Sequence, residues 1–171
     1  MKIFLIGFMG CGKTTLGKRL ALKLGYQFVD MDKVIEAETQ LSISEYFNKF
    51  GEDAFRETES KTLKNTILPE NVVIATGGGA PCFFDNIEWM NANGTTVYLS
   101  LSPKSLAKRL ASATEQRPIL KDLKPDQLED FIAERLRLRE PFYKQAKISI
   151  KGLDQTPEKM AEILQQKTQL K

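Results

Sequence analysis

The sequence predicts an α/β fold, a parallel sheet with helices covering both faces. Three observations carry this. Short apolar runs, Ile3-Phe4-Leu5-Ile6 and Val72-Val73-Ile74-Ala75, contain no polar residue, as suits strands buried on both sides. Stretches with apolar residues at helical spacing alternate with such runs, and that alternation implies right-handed β-α-β crossovers. The first run leads into the first helix through Gly7-Phe8-Met9-Gly10-Cys11-Gly12-Lys13-Thr14, which reads G-x-x-x-x-G-K-T.

The elements follow in order. Leu16, Leu20, Ala21 and Leu24 mark the helix after the glycine-rich loop. Tyr26-Gln27-Phe28-Val29 is a second strand ending in Asp30-Met31-Asp32, and a short helix runs from Lys33 to Glu38. Ser42-Ile43-Ser44-Glu45 is an S-x-x-E capping box opening a helix with Ile43, Phe47 and Phe50 on its apolar side, interrupted at Gly51. A further helical stretch carries Phe55, Leu63 and Ile67, with Arg56 and Glu59 three residues apart on one face. The third strand, Val72–Ala75, breaks into Thr76-Gly77-Gly78-Gly79. A helix from Phe84 to Met90 closes at Asn93-Gly94, and Thr96-Val97-Tyr98-Leu99 is the fourth strand. Ser102-Pro103 pairs an N-cap with a proline at the first helical position, leading to Leu106 and Leu110. The stretch 111–124 lacks periodicity and reads as a mobile lid. Leu128, Phe131, Ile132 and Leu136 form the next helix, which Pro141 is expected to end. Lys147–Ile150 alternates like a strand near an edge, and Thr156-Pro157 opens a last helix.

Composition bounds the function. The 171 residues suit one domain, 1–171, with a real core. A net charge of +3, with no basic stripe interleaved with aromatics, argues against nucleic acid as a partner. No apolar run is long enough for a membrane span, and the chain enters a strand at once, so neither a membrane nor a signal peptide is expected. Two cysteines, Cys11 and Cys82, make no disulfide framework and are expected as reduced, partly buried thiols in a cytoplasmic protein. There is no histidine, so any general base is a carboxylate, a lysine or a tyrosine.

The glycine-rich loop carries the first chemical signal. Its glycines let backbone N–H groups turn inward to make an anion-binding concavity, and the following helix adds the positive end of its dipole. Lys13 would reach the β- and γ-phosphates of a nucleotide and the Thr14 hydroxyl would hold Mg²⁺. A turn that binds nothing explains neither the Lys-Thr pair nor the flanking strand and helix. Asp30 and Asp32 come next: if the chain is still extended they point the same way, one toward a metal or its waters and one toward a hydroxyl to be phosphorylated. The plainer reading of the pair is a cap on the following helix. Gly77–Gly79 permits close backbone approach to a ligand. Arg56, Arg117 and Arg139 could clamp carboxylate or phosphate, whereas Arg109, Arg135 and Arg137 are expected at the surface. Ligands in open parallel sheets bind beyond the carboxyl ends of the strands, so the loop, the Asp pair and the glycine turn should open onto one crevice.

Taken together, these residues resemble the shikimate kinase family over nearly the whole chain. The landmarks are Gly7–Thr14, Asp30-Met31-Asp32, Phe55-Arg56-Glu57-Thr58-Glu59, Thr76–Gly79, Gln116-Arg117-Pro118-Ile119-Leu120 and Arg139-Glu140-Pro141-Phe142-Tyr143. Phe142 stands where leucine is more usual, a change of packing only. The resemblance implies a P-loop NTPase fold of the nucleoside-monophosphate-kinase-like group, three layers α/β/α, with five parallel strands ordered 2-3-1-4-5 and a lid. It implies transfer of the γ-phosphoryl of ATP to the 3-hydroxyl of shikimate, in aromatic amino-acid (chorismate) biosynthesis. Lys13, Asp32 and Arg117 would be catalytic. Gly10, Cys11, Gly12, Lys13, Thr14, Thr15 and Arg117 would bind ATP. Asp32, Arg56, Gly77, Gly78, Gly79 and Arg139 would bind shikimate, with about 32–60 as the substrate-binding region and Glu59 holding Arg56. Mg²⁺ would meet Thr14 directly and Asp30 through water. A monomer is expected.

Two rivals remain at this level. A gluconate- or nucleotide-kinase-like enzyme would have a similar frame, but a neutral sugar or nucleoside would not require two arginines. A nucleotide-binding module without turnover would have little use for Asp32 and the arginines, and Asn48-Lys49-Phe50-Gly51 lacks the Asp of a guanine-reading N-K-x-D motif.

Overall fold

A computed structural model describes residues 1–111, 125–152 and 155–169. Five strands, β1 (Lys2–Ile6), β2 (Gln27–Asp30), β3 (Val72–Ala75), β4 (Thr95–Ser100) and β5 (Ile148–Lys151), form one sheet in the order β2-β3-β1-β4-β5. All four pairings are parallel, with Phe4 level with Ile74 on one side and Thr96 on the other. The expected order is therefore observed. β1 and β3 are completely buried or nearly so, while β5 alternates buried and exposed residues at its edge.

The helices are α1 (Lys13–Leu24), α2 (Met31–Thr39), α3 (Ile43–Asn65), α4 (Asn86–Asn93), α5 (Pro103–Ala111), α6 (Pro125–Tyr143) and α7 (Pro157–Gln169), with a 3₁₀ turn over Ala80–Cys82. The three layers follow from the period of two along β1. Leu5 faces α1: a Cβ added to Gly17 would come within 3.0 Å of the Leu5 side chain and 2.7 Å of Phe28. Its neighbour Phe4 points the other way and meets Trp89 of α4 edge-on, ring centres 6.0 Å apart. Glycine at position 17 is thus what lets α1 lie close on the sheet.

Local signals explain most element ends. Ser42 caps α3 reciprocally with Glu45, and Gly51 (φ 81°, ψ 175°) breaks that helix into two segments. Ser102 and Thr156 accept from the backbone N–H groups of Ser105 and Lys159. Four expectations are corrected. α2 begins at Met31 rather than Lys33, because Asp30 caps it. α4 begins at Asn86, since the 3₁₀ turn and Phe84 (φ 53°) take up the preceding residues. α6 runs through Pro141 to Tyr143; proline this late costs only the bond its missing N–H would make one turn back. Ile67 is 97% exposed, because α3 stops at Asn65 and the chain turns away before Ile67 can face the core. The expected lid over 111–124 lies outside the described residues from 112 onward.

Candidate active site

The phosphate loop follows β1, and the glycine turn follows β3. These strands are neighbours, so the two loops emerge side by side at one end of the sheet. A Cβ on Gly78 would lie 3.1 Å from the backbone N of Met9, tight enough that a larger residue would push the turn a few tenths of an ångström away from the loop. β1 is also where the order reverses, β2 and β3 lying to one side and β4 and β5 to the other. That is the place where open α/β sheets carry their crevice.

Gly10 (φ 78°) and Gly12 (φ 100°) take left-handed backbone that no other residue adopts easily, and this turns the loop into a concave strip. Gly12 is the N-cap of α1. It supplies no side chain to the first-turn N–H groups, and no acidic residue sits in that turn. The helix therefore presents its positive end uncompensated, the condition for an anion. Lys13 is buried, its Nζ donating to the carbonyls of Gly7 (2.7 Å) and Phe8 (3.1 Å). Cys11 is buried beneath the loop with its thiol 3.7 Å from that ammonium. Thr14 and Thr15 are exposed at the start of α1.

Asp30 joins the loop to the next element. Its Oδ2 accepts from the Thr14 hydroxyl at 2.8 Å while Oδ1 accepts from the Asp32 N–H at 3.2 Å, capping α2. The condition for the two aspartates to point alike therefore fails: the helix begins between them. Asp32 instead projects from the first turn of α2, where its Oδ1 lies 3.1 Å from the Cβ position of Gly77. Thr14 and Asp30 offer hard oxygens in contact with each other. These suit Mg²⁺, which takes few protein ligands and fills its sphere with water and phosphate oxygens. No cluster of three or more His, Cys, Asp or Glu able to hold a metal occurs among the described residues.

The other side of the turn carries the arginines. Arg56 is buried and donates to Glu59 (2.7 Å) and, through two of its nitrogens, to Glu52 (3.1 and 3.3 Å). Its guanidinium lies under Phe83, 4.4 Å from the ring centre, and 2.6 Å from where a Cβ on Gly79 would be. Removing Arg56 would cost about 3–5 kcal/mol, because the buried Glu59 charge would be stranded. Burial pushes the Glu59 carboxyl up from its ordinary value, against the pull of Arg56, and nearby Asp32 adds to the rise. Arg139 lies over the Phe8 ring at 5.5 Å and makes no ion pair among the described residues. Burial drives the Cys82 thiol up to about 11, so it is a packed apolar group beside these arginines rather than a nucleophile.

The structure thus brings Lys13, Thr14, Asp30, Asp32, Arg56, Glu59 and Arg139 around the Gly77–Gly79 turn. Arg117 lies outside the described residues. Arg109 of α5 is exposed, as expected, and it also donates to the Cys11 carbonyl at 3.0 Å, adding a cation against the phosphate loop that the sequence did not show. It stands 98 positions from Cys11, and only the packing of α5 beside the loop reveals it.

A family model for shikimate kinase matches residues 9–169. The shikimate kinase of Parabacteroides distasonis is 51% identical over 148 residues, 86% of either chain. That of Bacteroides fragilis is 53% identical over 146 residues, 85% of this chain and 82% of its own. The crystal structure of shikimate kinase from Bacteroides thetaiotaomicron superposes with a TM-score of 0.90 at 45% identity, covering 99% of this chain and 98% of that one. The shikimate kinase of Acinetobacter baumannii in complex with shikimate gives a TM-score of 0.86 at 34% identity, over 99% of this chain and 94% of that one. With matches of this extent in sequence and in structure, the chain belongs to the shikimate kinase family.

Proposed function

We propose that this protein transfers the γ-phosphoryl group of ATP to the 3-hydroxyl of shikimate, giving shikimate 3-phosphate and ADP, within chorismate and aromatic amino-acid biosynthesis. The observation that carries the reading is the half-buried Arg139, which has no ion pair among the described residues, lies over the Phe8 ring of the phosphate loop and, like Arg56, acts on the Glu59 and Cys82 side chains. This suits an acceptor with one carboxylate and several hydroxyls. The solved relative in complex with shikimate supports the same substrate.

Each residue then has a chemical task. The loop glycines, Cys11, Thr15 and the α1 N-terminus bind the phosphates through backbone and hydroxyl donors. Lys13 exchanges its bonds to the Gly7 and Phe8 carbonyls for phosphate oxygens. Thr14 and, through water, Asp30 would hold Mg²⁺, which supplies charge neutralisation on the phosphates when bound. Arg56 and Arg139 fix the carboxylate of shikimate, with Glu59 holding Arg56, while Gly77, Gly78 and Gly79 lie against its ring. Asp32 accepts the proton of the reacting hydroxyl, or orients it, as that oxygen bonds to the γ-phosphorus and the bond to ADP breaks. Arg117 contributes charge from the lid, which keeps water from competing for the phosphoryl group. We also propose a monomeric cytoplasmic enzyme that engages neither nucleic acid nor membrane. No helix among the described residues is long and apolar enough to cross a membrane.

A coupled ADP-release assay with Mg·ATP and one acceptor at a time tests this. Release is expected with shikimate and not with gluconate or nucleoside monophosphates. Release that shikimate does not accelerate overturns the proposal.

A further inference from the structure

Arg56 has more negative charge against it than one guanidinium balances. Its Nη1 donates to Glu59 at 2.7 Å, and its Nε and Nη2 both donate to a single oxygen of Glu52, at 3.3 and 3.1 Å. The two carboxylates differ in setting. Glu59 is buried between Arg56 and Gly77, whereas the Glu52 side chain is 50% exposed, against 9% for that of Arg56. The bonds to Glu52 are also longer than the roughly 2.7–2.9 Å of a strong charge-assisted bond. Glu59 therefore holds the guanidinium in place, and Glu52 lies on it loosely from the solvent side.

Local structure puts Glu52 there. Gly51 breaks α3, so Glu52 opens the second segment of that helix, and Arg56 follows one turn later on the same face. A carboxylate at the start of a helical segment also meets the positive end of the dipole, so Glu52 stays charged without help from Arg56. A guanidinium has five N–H groups, and the two glutamates take three of them. One N–H on Nη1 and one on Nη2 remain. The Cβ position of Gly79 lies 2.6 Å from both nitrogens, so a ligand carboxylate seated on the glycine turn reaches the same guanidinium that Glu52 already engages.

We propose that Glu52 sets the affinity of the site for its acceptor: its carboxylate shares the Arg56 guanidinium with the carboxylate of the acceptor and weakens the hold on it. With both glutamates ionised, two anions face one cation, so a third carboxylate is opposed as it arrives. Before a ligand binds, the same contact keeps a buried cation paired on its open side. This role of Glu52 rests on the reading that Arg56 binds the acceptor. It also has a sign of its own. Loss of a contact that only supports the site weakens binding, whereas loss of a competitor strengthens it.

The test compares Glu52→Gln with Glu57→Gln in the full chain. The first keeps an oxygen that accepts from Arg56 and removes only the charge. The second removes a like charge from the same helical segment, where the Glu57 side chain is 62% exposed and pairs with Lys61 instead. At low ionic strength, Glu52→Gln is expected to lower the shikimate KM, and the shikimate Kd from titration calorimetry, about threefold, the scale of a half-exposed ion pair. Its kcat and its KM for ATP should stay near wild type. Glu57→Gln should leave all of these unchanged. Added salt should narrow the gap between Glu52→Gln and wild type, since charge alone makes it. The proposal is overturned if Glu52→Gln raises the shikimate KM and Kd or leaves them unchanged, if Glu57→Gln lowers them equally, or if salt does not narrow the gap. A wild-type protein that neither binds nor phosphorylates shikimate overturns the proposed function and this role with it. A wild-type protein that does both, beside a Glu52→Gln variant that binds no better, overturns the role of Glu52 alone.

Discussion

Asp32 is close to isosteric with asparagine, so Asp32→Asn changes little but the charge. Its carboxylate sits by the Cβ position of Gly77 in the first turn of α2. If it takes the acceptor's proton, the amide cannot replace it. Turnover should then drop by about 10²–10⁴-fold, the usual contribution of a positioned base. Binding of ATP, followed by titration in the absence of acceptor, should survive. Turnover close to wild type would remove Asp32 from the chemistry. The neighbouring Glu59 has a different task. It is 3% exposed, pressed against Gly77, and bonded to Arg56, so it holds a side chain in place rather than meeting a proton from solvent.

At the scale of elements, the junction between α2 and α3 shapes the side of the site that carries Asp32 and Arg56. Glu45 accepts from the backbone N–H of Ser42, and Glu36 from that of Ile43, tying the start of α3 to α2. Both carboxyls are held below their ordinary value, Glu45 mainly by Ser42 and Glu36 mainly by Lys33. A lowered folded pKa means the unfolded chain binds the proton more readily. The contribution is therefore complete above the ordinary carboxyl value of 4.5 and drains as pH falls through the lower folded values. Ser42→Ala should cost about 1 kcal/mol at neutral pH, read by thermal or urea unfolding. The gap from wild type should narrow below pH 4.5 as Glu45 is protonated in both proteins. A gap that is absent at neutral pH, or that widens in acid, would show that the capping box does not stabilise α3.

The whole molecule brings the site together through strand order. β1 lies between β3 and β4, so the phosphate loop has the glycine turn on one flank and the β4 end, leading to Arg109 on α5, on the other. A nucleotide bound here stabilises the folded chain only. At about 100 times its Kd, ATP with Mg²⁺ should add about 2.7 kcal/mol. For a chain of this size that raises the unfolding midpoint by about 5–10 °C. Scanning calorimetry with and without EDTA checks it: chelation should shrink the shift, because Thr14 and Asp30 then face the phosphates without a cation between them. A midpoint unmoved by ATP would mean that the loop and α1 do not hold a nucleotide.

The order of strands and helices, the phosphate loop and the capping box were legible in the sequence because each rests on neighbours a few residues apart. Apolar runs, glycines where the backbone turns left-handed and Ser-x-x-Glu spacing all act locally. The start of α2 at Met31 rests on the local Asp30 cap, which the sequence offered as the plainer reading of the Asp pair. The exposure of Ile67 was not legible, since it depends on where α3 ends. Asp30 could be named from sequence, but only the fold shows its two oxygens divided between Thr14 and α2. Arg109 and Tyr143 belong to the same class: their partners Cys11 and Gly78 lie 98 and 65 positions away. Spacing along a chain records which residues share an element. Which elements meet is decided by how the sheet is ordered and packed, and that fixed what surrounds the glycine turn.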